Sequence, residues 1–241
     1  MALNEVKALT FDVFGTVVDY RGTIIDEGEQ LNRQKGWQID WAIVADAWRG
    51  RYRPFMERVA HGELPWTKLD TLHRMALEEI LEELHITGLS EEEKTQLNFV
   101  WHRLRPWHDA VAGLTRLRTR FTLATLSNGN VSLLVDMAKH SHLPWDCIFS
   151  AELARAYKPD PRVYRLAIEL LSLQPHEVMM VASHQNDLRA AQAEGMRTAF
   201  ITRPLEFGRH HIPNMTADPS FDIVATDLID LANKLNTDSW G

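Results

Sequence analysis

The sequence predicts an α/β protein with a mostly parallel sheet and an all-helical insertion after the first strand. Two observations lead there. After residue 106, short apolar runs with β-branched and aromatic members alternate with segments of helical period, the pattern of parallel strands crossed over by helices. Before that point a single strand-like run, VKALTF (6–11), is followed from about residue 20 to 105 by segments of helical period without a strand run.

Taken in order, the run 6–11 stops at Asp12 and the turn-forming Gly15 and reads as a buried strand. The helical block divides into 25–35, 40–61, 67–86 and 90–104. Gly36 and Gly62 are C-cap candidates, Pro65 precludes one continuous helix, and Ser90 with Glu93 has capping-box spacing. Strands are expected at 121–126, 147–150, 178–182, 198–202 and 221–225, with helices near 108–119, 130–141, 161–172, 186–195 and 226–235. The stretch 203–220 is the longest loop, and there is no internal repeat. Residues 1–19 and 106–241 therefore form one expected domain, and 20–105 the insert.

Composition narrows the function classes. The chain of 241 residues is 45% hydrophobic and 24% charged, which is a globular balance. Its formal charge of −7 gives no footprint for nucleic acid. A single cysteine excludes an internal disulfide, and no run approaches the roughly 20 apolar residues of a membrane helix. The opening residues lack a secretory pattern, so a cytoplasmic protein is expected.

In open parallel sheets ligands bind beyond the carboxyl ends of the strands. The residues there are polar: Asp12, Thr16 and Asp19 after the first strand; Ser127, Asn128 and Asn130 after 121–126; Ser183, His184, Asn186 and Asp187 after 178–182; Lys158 after 147–150. Each alone also suits a helix cap. Together they place a carboxylate, a hydroxyl–amide pair, a lysine and a second carboxylate at one sheet edge.

The segments FDVFGTVVD, TLSNG, YKPDPRVY and VASHQNDLRAAQAEGM, in this order, resemble the haloacid dehalogenase superfamily, and within it the type II L-2-haloacid dehalogenases. The resemblance runs from about residue 5 to 235 and implies a Rossmann-like core with a helical cap domain. It implies that Asp12 is the nucleophile, with Thr16 orienting it. Phosphatases of the superfamily carry an acid two positions after the nucleophile; here that residue is Phe14. A halide leaves without a proton, so an aromatic there suits a dehalogenase and sheds water.

Magnesium requires several oxygen ligands, and ASHQND supplies only Asp187, so no metal and no cofactor is expected. Lys158 offsets the repulsion between two anions and keeps Asp12 ionised. By the resemblance Arg49 receives the halide, although on spacing alone Arg49, Arg51, Arg53 and Arg58 equally suit a solvated helix face. Ser127 and Asn128 match the substrate and halide pocket, and Tyr164 a further active-site position. The family's scheme gives an ester on Asp12 and then attack by a water positioned by Asp187, with backbone N–H groups beside Asp12 on the oxyanion. The partner is a small 2-haloacid, and members are commonly homodimers.

One departure concerns the segment after 178–182. The best-known members read Ser-Ser-Asn; this chain reads Ala182-Ser183-His184. An imidazole donates or accepts near neutral pH, which makes His184 a candidate for orienting water or halide, against a polar space-filler. Trp48 and Trp66 are the tryptophans considered for the pocket wall, Cys147 reads as a small buried hydrophobe, and the pairs His140/His142 and His210/His211 read as ordinary histidines. Two alternatives stand beside the dehalogenase: a Mg²⁺-dependent small-molecule phosphatase of the same superfamily and a catalytically silent binding protein on its fold.

Overall fold

A computed structural model of the chain describes residues 3–209, 211 and 214–235. Along the chain the strands are β1 (Ala8–Phe11), β2 (Val18–Asp19), β3 (Arg105–Pro106), β4 (Thr122–Ser127), β5 (Cys147–Ser150), β6 (Val178–Ala182), β7 (Arg197–Ile201) and β8 (Ile223–Ala225). The helices are α1 (Tyr20–Lys35), α2 (Trp41–Ala60), α3 (Leu69–Glu83), α4 (Glu91–Asn98), α5 (Ala110–Arg118), α6 (Val131–His140), α7 (Ala151–Ala154), α8 (Pro161–Leu171), α9 (Gln185–Ala193) and α10 (Leu228–Lys234).

Six strands form a parallel sheet in the order β5-β4-β1-β6-β7-β8. Strands β1 and β6 are buried at every position, as central strands covered on both faces must be. At the edge, β8 leaves Val224 exposed. The chain continues from β1 to one side of the sheet and from β6 to the other, so the topological switch point lies between these two neighbours. That crevice receives whatever follows Phe11 and Ala182.

The predicted helical block is present, closed by a 3₁₀ segment at Phe99–Arg103. Helix α1 starts at Tyr20 rather than 25, because the Asp19 carboxylate accepts the Gly22 N–H at 2.8 Å and caps it. Capping, not catalysis, is thus what Asp19 is seen to do. Gly36 ends α1 at φ 69°, and Ser90 with Glu93 makes both bonds of the capping box. Where Gly62 was expected to cap, His61 is the cap residue and Gly62 follows at φ 77°. The antiparallel pair β2–β3, with Val18 beside Pro106, joins the two ends of the block. Two residues per strand carry no readable period, so the sequence did not announce it.

The apolar interior of the cap is continuous with that of the sheet; within it Trp48 meets Trp101 edge-on at 5.5 Å and donates its indole N–H to the His73 carbonyl at 3.0 Å. Polar bonds hold it to the sheet. Asn130 accepts from Asp70 N at 3.2 Å and donates to its carboxylate at 2.8 Å, while Tyr157 donates to the Thr67 carbonyl at 2.7 Å. Asn130, expected near the chemistry, serves this join.

On the opposite side a buried pair fixes the loop after β7. Arg203 reaches both Asp109 oxygens at 2.7 and 2.8 Å and the Thr16 carbonyl at 2.8 Å, and Asp109 also accepts the Leu228 N–H. Removing one member strands a buried charge. Asp109→Ala is therefore expected to cost about 3–5 kcal/mol, read as a lower denaturant midpoint with an unchanged slope; a loss below about 1 kcal/mol would contradict the clamp.

Candidate active site

The switch-point crevice collects the predicted residues because each stands at the end of a different element. Asp12 directly follows β1 and Ser183-His184 directly follow β6. Asp187 lies in the first turn of α9, Lys158 between α7 and α8, and Tyr164 in the first turn of α8, which Asp160 caps and Pro161 opens.

These side chains form one network. Lys158 donates to Asp12 Oδ1 at 3.0 Å and also to Asp187 Oδ2, so its ammonium stands between two carboxylates. Tyr164 donates to the other Asp187 oxygen at 2.6 Å. Thr16 donates to Asp12 Oδ2 at 2.8 Å and accepts the Ser183 N–H at 2.9 Å. The single Thr16 hydroxyl proton goes to the carboxylate, so Ser183 is the donor in the 3.0 Å contact between the two hydroxyls. His184 Nδ1 lies 2.9 Å from Asp12 Oδ2, and Nε2 lies 2.8 Å from Glu206 Oε1. Ionised carboxylates only accept, so both ring nitrogens donate and the ring is an imidazolium.

Burial and charge oppose one another here. Burial alone would raise the Asp12 carboxyl, but the Lys158 ammonium and His184 overcome it and hold the group well below the usual carboxylate range. Burial dominates at Asp187, where the nearby Asp12 charge adds to it, and despite Lys158 that carboxyl is raised. His184 is pushed up to about 10: burial works against its charge, and Glu206 and Asp12 more than offset it. Two carboxylates and one imidazole thus acquire separate proton affinities within a single site.

A cavity of about 1110 Å³ opens over this network, and Arg49, Phe14 and Asn128 line it. Asn128 accepts the Lys158 backbone N–H at 2.8 Å through its side-chain oxygen. Phe14, 2% exposed, packs edge-on to Trp101 at 5.6 Å. The Arg49 guanidinium stacks over Tyr52 at 4.5 Å and Tyr20 at 5.0 Å, with one nitrogen 3.8 Å from Glu206.

Some expectations fall elsewhere. Ser127, expected at the substrate, does not line the cavity; it is fully buried and its hydroxyl accepts the Gly129 N–H at 3.2 Å. Trp48 and Trp66 do not line it either, Trp66 packing on Tyr157 at 4.9 Å. Cys147 is half-buried rather than buried, and burial still raises its thiol. His211 belongs to the cavity wall instead of standing apart, and His210 lies outside the described residues. Among the described residues no group of three or more His, Cys, Asp or Glu is arranged to hold a metal ion, and no helix is long and apolar enough to cross a membrane.

Sequence reading missed Glu206, Tyr52 and Tyr20. Glu206 lies five residues beyond β7, inside the stretch 203–220, and is 2% exposed. Extending the carboxyl-end rule to this strand would have found it. It is seated by Gly15, whose φ of +83° favours glycine and whose added Cβ would lie 2.2 Å from Glu206 Oε1. Tyr52 stands three positions beyond Arg49 in α2, the spacing of neighbours on a helix face.

Known proteins agree with this architecture. A family model described as haloacid dehalogenase-like hydrolase matches residues 6–195. The (S)-2-haloacid dehalogenase 1 of Pseudomonas sp. (strain CBS-3) is 30% identical over 239 residues, covering 90% of this chain and 96% of its own. The crystal structure of the L-2-haloacid dehalogenase PA0810 superposes with a TM-score of 0.93 at 44% identity, over 96% of this chain and 99% of that one. The defluorinating L-2-haloacid dehalogenase Rha0230 gives 0.93 at 43% identity, over 96% and 95%. A match that runs from the first strand through α9, with relatives aligned along nearly the whole chain, establishes that the protein belongs to the haloacid dehalogenase-like hydrolases.

Proposed function

We propose that this hydrolase converts short (S)-2-haloalkanoic acids to 2-hydroxy acids and halide, through an ester on Asp12 and without a metal ion. The observation that carries the reading is the placement of Lys158 between Asp12 and Asp187, with Phe14 where a phosphatase has its general acid. An ionised carboxylate with its charge offset is a competent nucleophile toward an α-carbon bearing halide. A phosphate ester would demand a proton for its alkoxide, and Phe14 has none to give.

In this reading Asp12 attacks the α-carbon with inversion while the halide departs toward Arg49 and Asn128. Thr16 and Ser183 fix the nucleophile, and Tyr164 with Asp187 fixes Lys158. The second step differs chemically, because the ester releases an alkoxide. His184, hydrogen-bonded to Asp12 on one side and Glu206 on the other, becomes the base once esterification removes the Asp12 charge and the Nδ1 proton leaves to cavity water; it then takes a proton from the attacking water and returns it to that alkoxide. The helical residues 20–105 act as the cap and 1–19 with 106–241 as the core, in a cytoplasmic setting that one free cysteine suits. The names of the relatives, one of them defluorinating, extend the substrate class to fluorinated acids.

The test is direct. Chloride and fluoride release from haloacetates and 2-chloropropionate is measured with a chelator present, beside phosphate release from small phosphoesters with Mg²⁺. Chelator-insensitive halide release is expected; metal-dependent phosphate release without dehalogenation would overturn the proposal, and inactivity on both panels would favour the silent binding protein.

A further inference from the structure

Tyr52 packs on Arg49 and lines the cavity beside Asn128, two of the residues that the resemblance assigns to the substrate and halide pocket. Its ring lies under the Arg49 guanidinium at 4.5 Å, and Tyr20 holds the same guanidinium at 5.0 Å. The cation is clamped by two aromatic rings in the orientation where Arg49 NH1, buried in the wall, has no hydrogen-bond partner among the described residues. Donor capacity is thus left over for an anion. Tyr52 also meets Phe14 edge-on at 6.2 Å and lines the cavity with Asn128 and Asp12. Burial raises its phenol, while Arg49 and the Asn128 side chain work the other way, so the hydroxyl keeps its proton and remains a donor.

We propose that Tyr52 is a halide-binding residue whose hydroxyl, beside Arg49 and Asn128, biases the site toward fluoride. The inference rests on the dehalogenase reading above and adds a specificity-determining residue to it. As the Asp12 oxygen bonds to the α-carbon, the carbon–fluorine bond breaks and fluoride leaves with the bonding electron pair. Charge then grows on the smallest halide, which depends most on short, charge-assisted hydrogen bonds. A phenol already ordered by stacking supplies one without reorganisation. Chloride spreads its charge over a larger surface and depends less on any single donor.

The experiment compares Tyr52→Phe with the wild type on fluoroacetate and chloroacetate, measuring each released halide with an ion-selective electrode. The ring over Arg49 stays and only the hydroxyl goes. Fluoride release is expected to fall about tenfold further than chloride release, the scale of one hydrogen bond to a charged group. Damage to folding would lower both together, so the ratio separates a halide contact from a structural one. An unchanged ratio, or a wild type that releases chloride but no fluoride, overturns the role of Tyr52 alone. A wild type that releases neither halide overturns the parent reading with it.

Discussion

Replacing Asp12 by Asn is expected to lower halide release by about 10⁴-fold or more, because the amide is no nucleophile and nothing else in the network attacks carbon. The fold should survive. Asn has the same shape, and Lys158 keeps Asp187 as its partner. Single turnover of the wild type in heavy-oxygen water should place the label in the Asp12 carboxylate, detectable by mass on its peptide. Unlabelled Asp12 during confirmed dehalogenation would mean direct attack by water.

The pH dependence follows from the same charges. The Asp12 carboxyl lies below its ordinary value of 3.8 in the fold. Its contribution to stability is therefore present above that pH and lost as pH falls through the lower folded value. Across the usual assay range Asp12 stays ionised and sets no acid limb. Lys158→Met leaves the two buried carboxylates facing one another with only the His184 imidazolium, on the other Asp12 oxygen, to offset their charge, so an acid limb of kcat/KM is expected to enter the assay range from below as kcat falls. A profile without a new acid limb would show that the ammonium is not needed to hold Asp12 ionised.

The fold was legible because its strands are short apolar runs bounded by turn residues and its helices repeat cleanly, and the four family segments each sit at the end of a strand or the start of a helix. What escaped detection had no periodicity to reveal it. Strands β2 and β3 are two residues each. Glu206 lies in a loop whose course is set by Arg203 reaching Asp109, 94 positions away in sequence. Ser127 shows the converse limit: a motif gives a residue's neighbourhood but not the direction of its hydroxyl, which here accepts from Gly129. His184 could be singled out as a departure, yet its meaning depended on Glu206, and that pairing exists only in three dimensions.

The largest effect after Asp12 is expected from that pair. In the free enzyme two carboxylates hold the His184 proton, which is why its value is pushed up to about 10. The imidazolium stabilises the fold fully below its ordinary value of 6.5, and that contribution is lost as pH rises through about 10. Esterification removes one of the two anions, because the alkylated Asp12 carries no charge. The ring then releases its Nδ1 proton to water in the cavity that it lines, while Nε2–H stays on Glu206 and fixes the tautomer. A neutral Nδ1 accepts a proton from the water attacking the ester carbonyl and passes it to the departing alkoxide.

His184→Ala removes this exchange, and Glu206→Gln removes the anion that orients it. Both should slow ester hydrolysis by about 10²–10⁴-fold, the usual worth of a positioned acid–base group, while leaving the first halide release fast. The ester should therefore accumulate, seen as a halide burst of one equivalent and a mass increase on the Asp12 peptide. Asp187 is the competing base, since burial raises its carboxyl. Its two oxygens, however, are already engaged by Tyr164 and Lys158. If the ester decays at the wild-type rate in His184→Ala and is trapped only in Asp187→Asn, the proton passes through Asp187 and the histidine is a spacer.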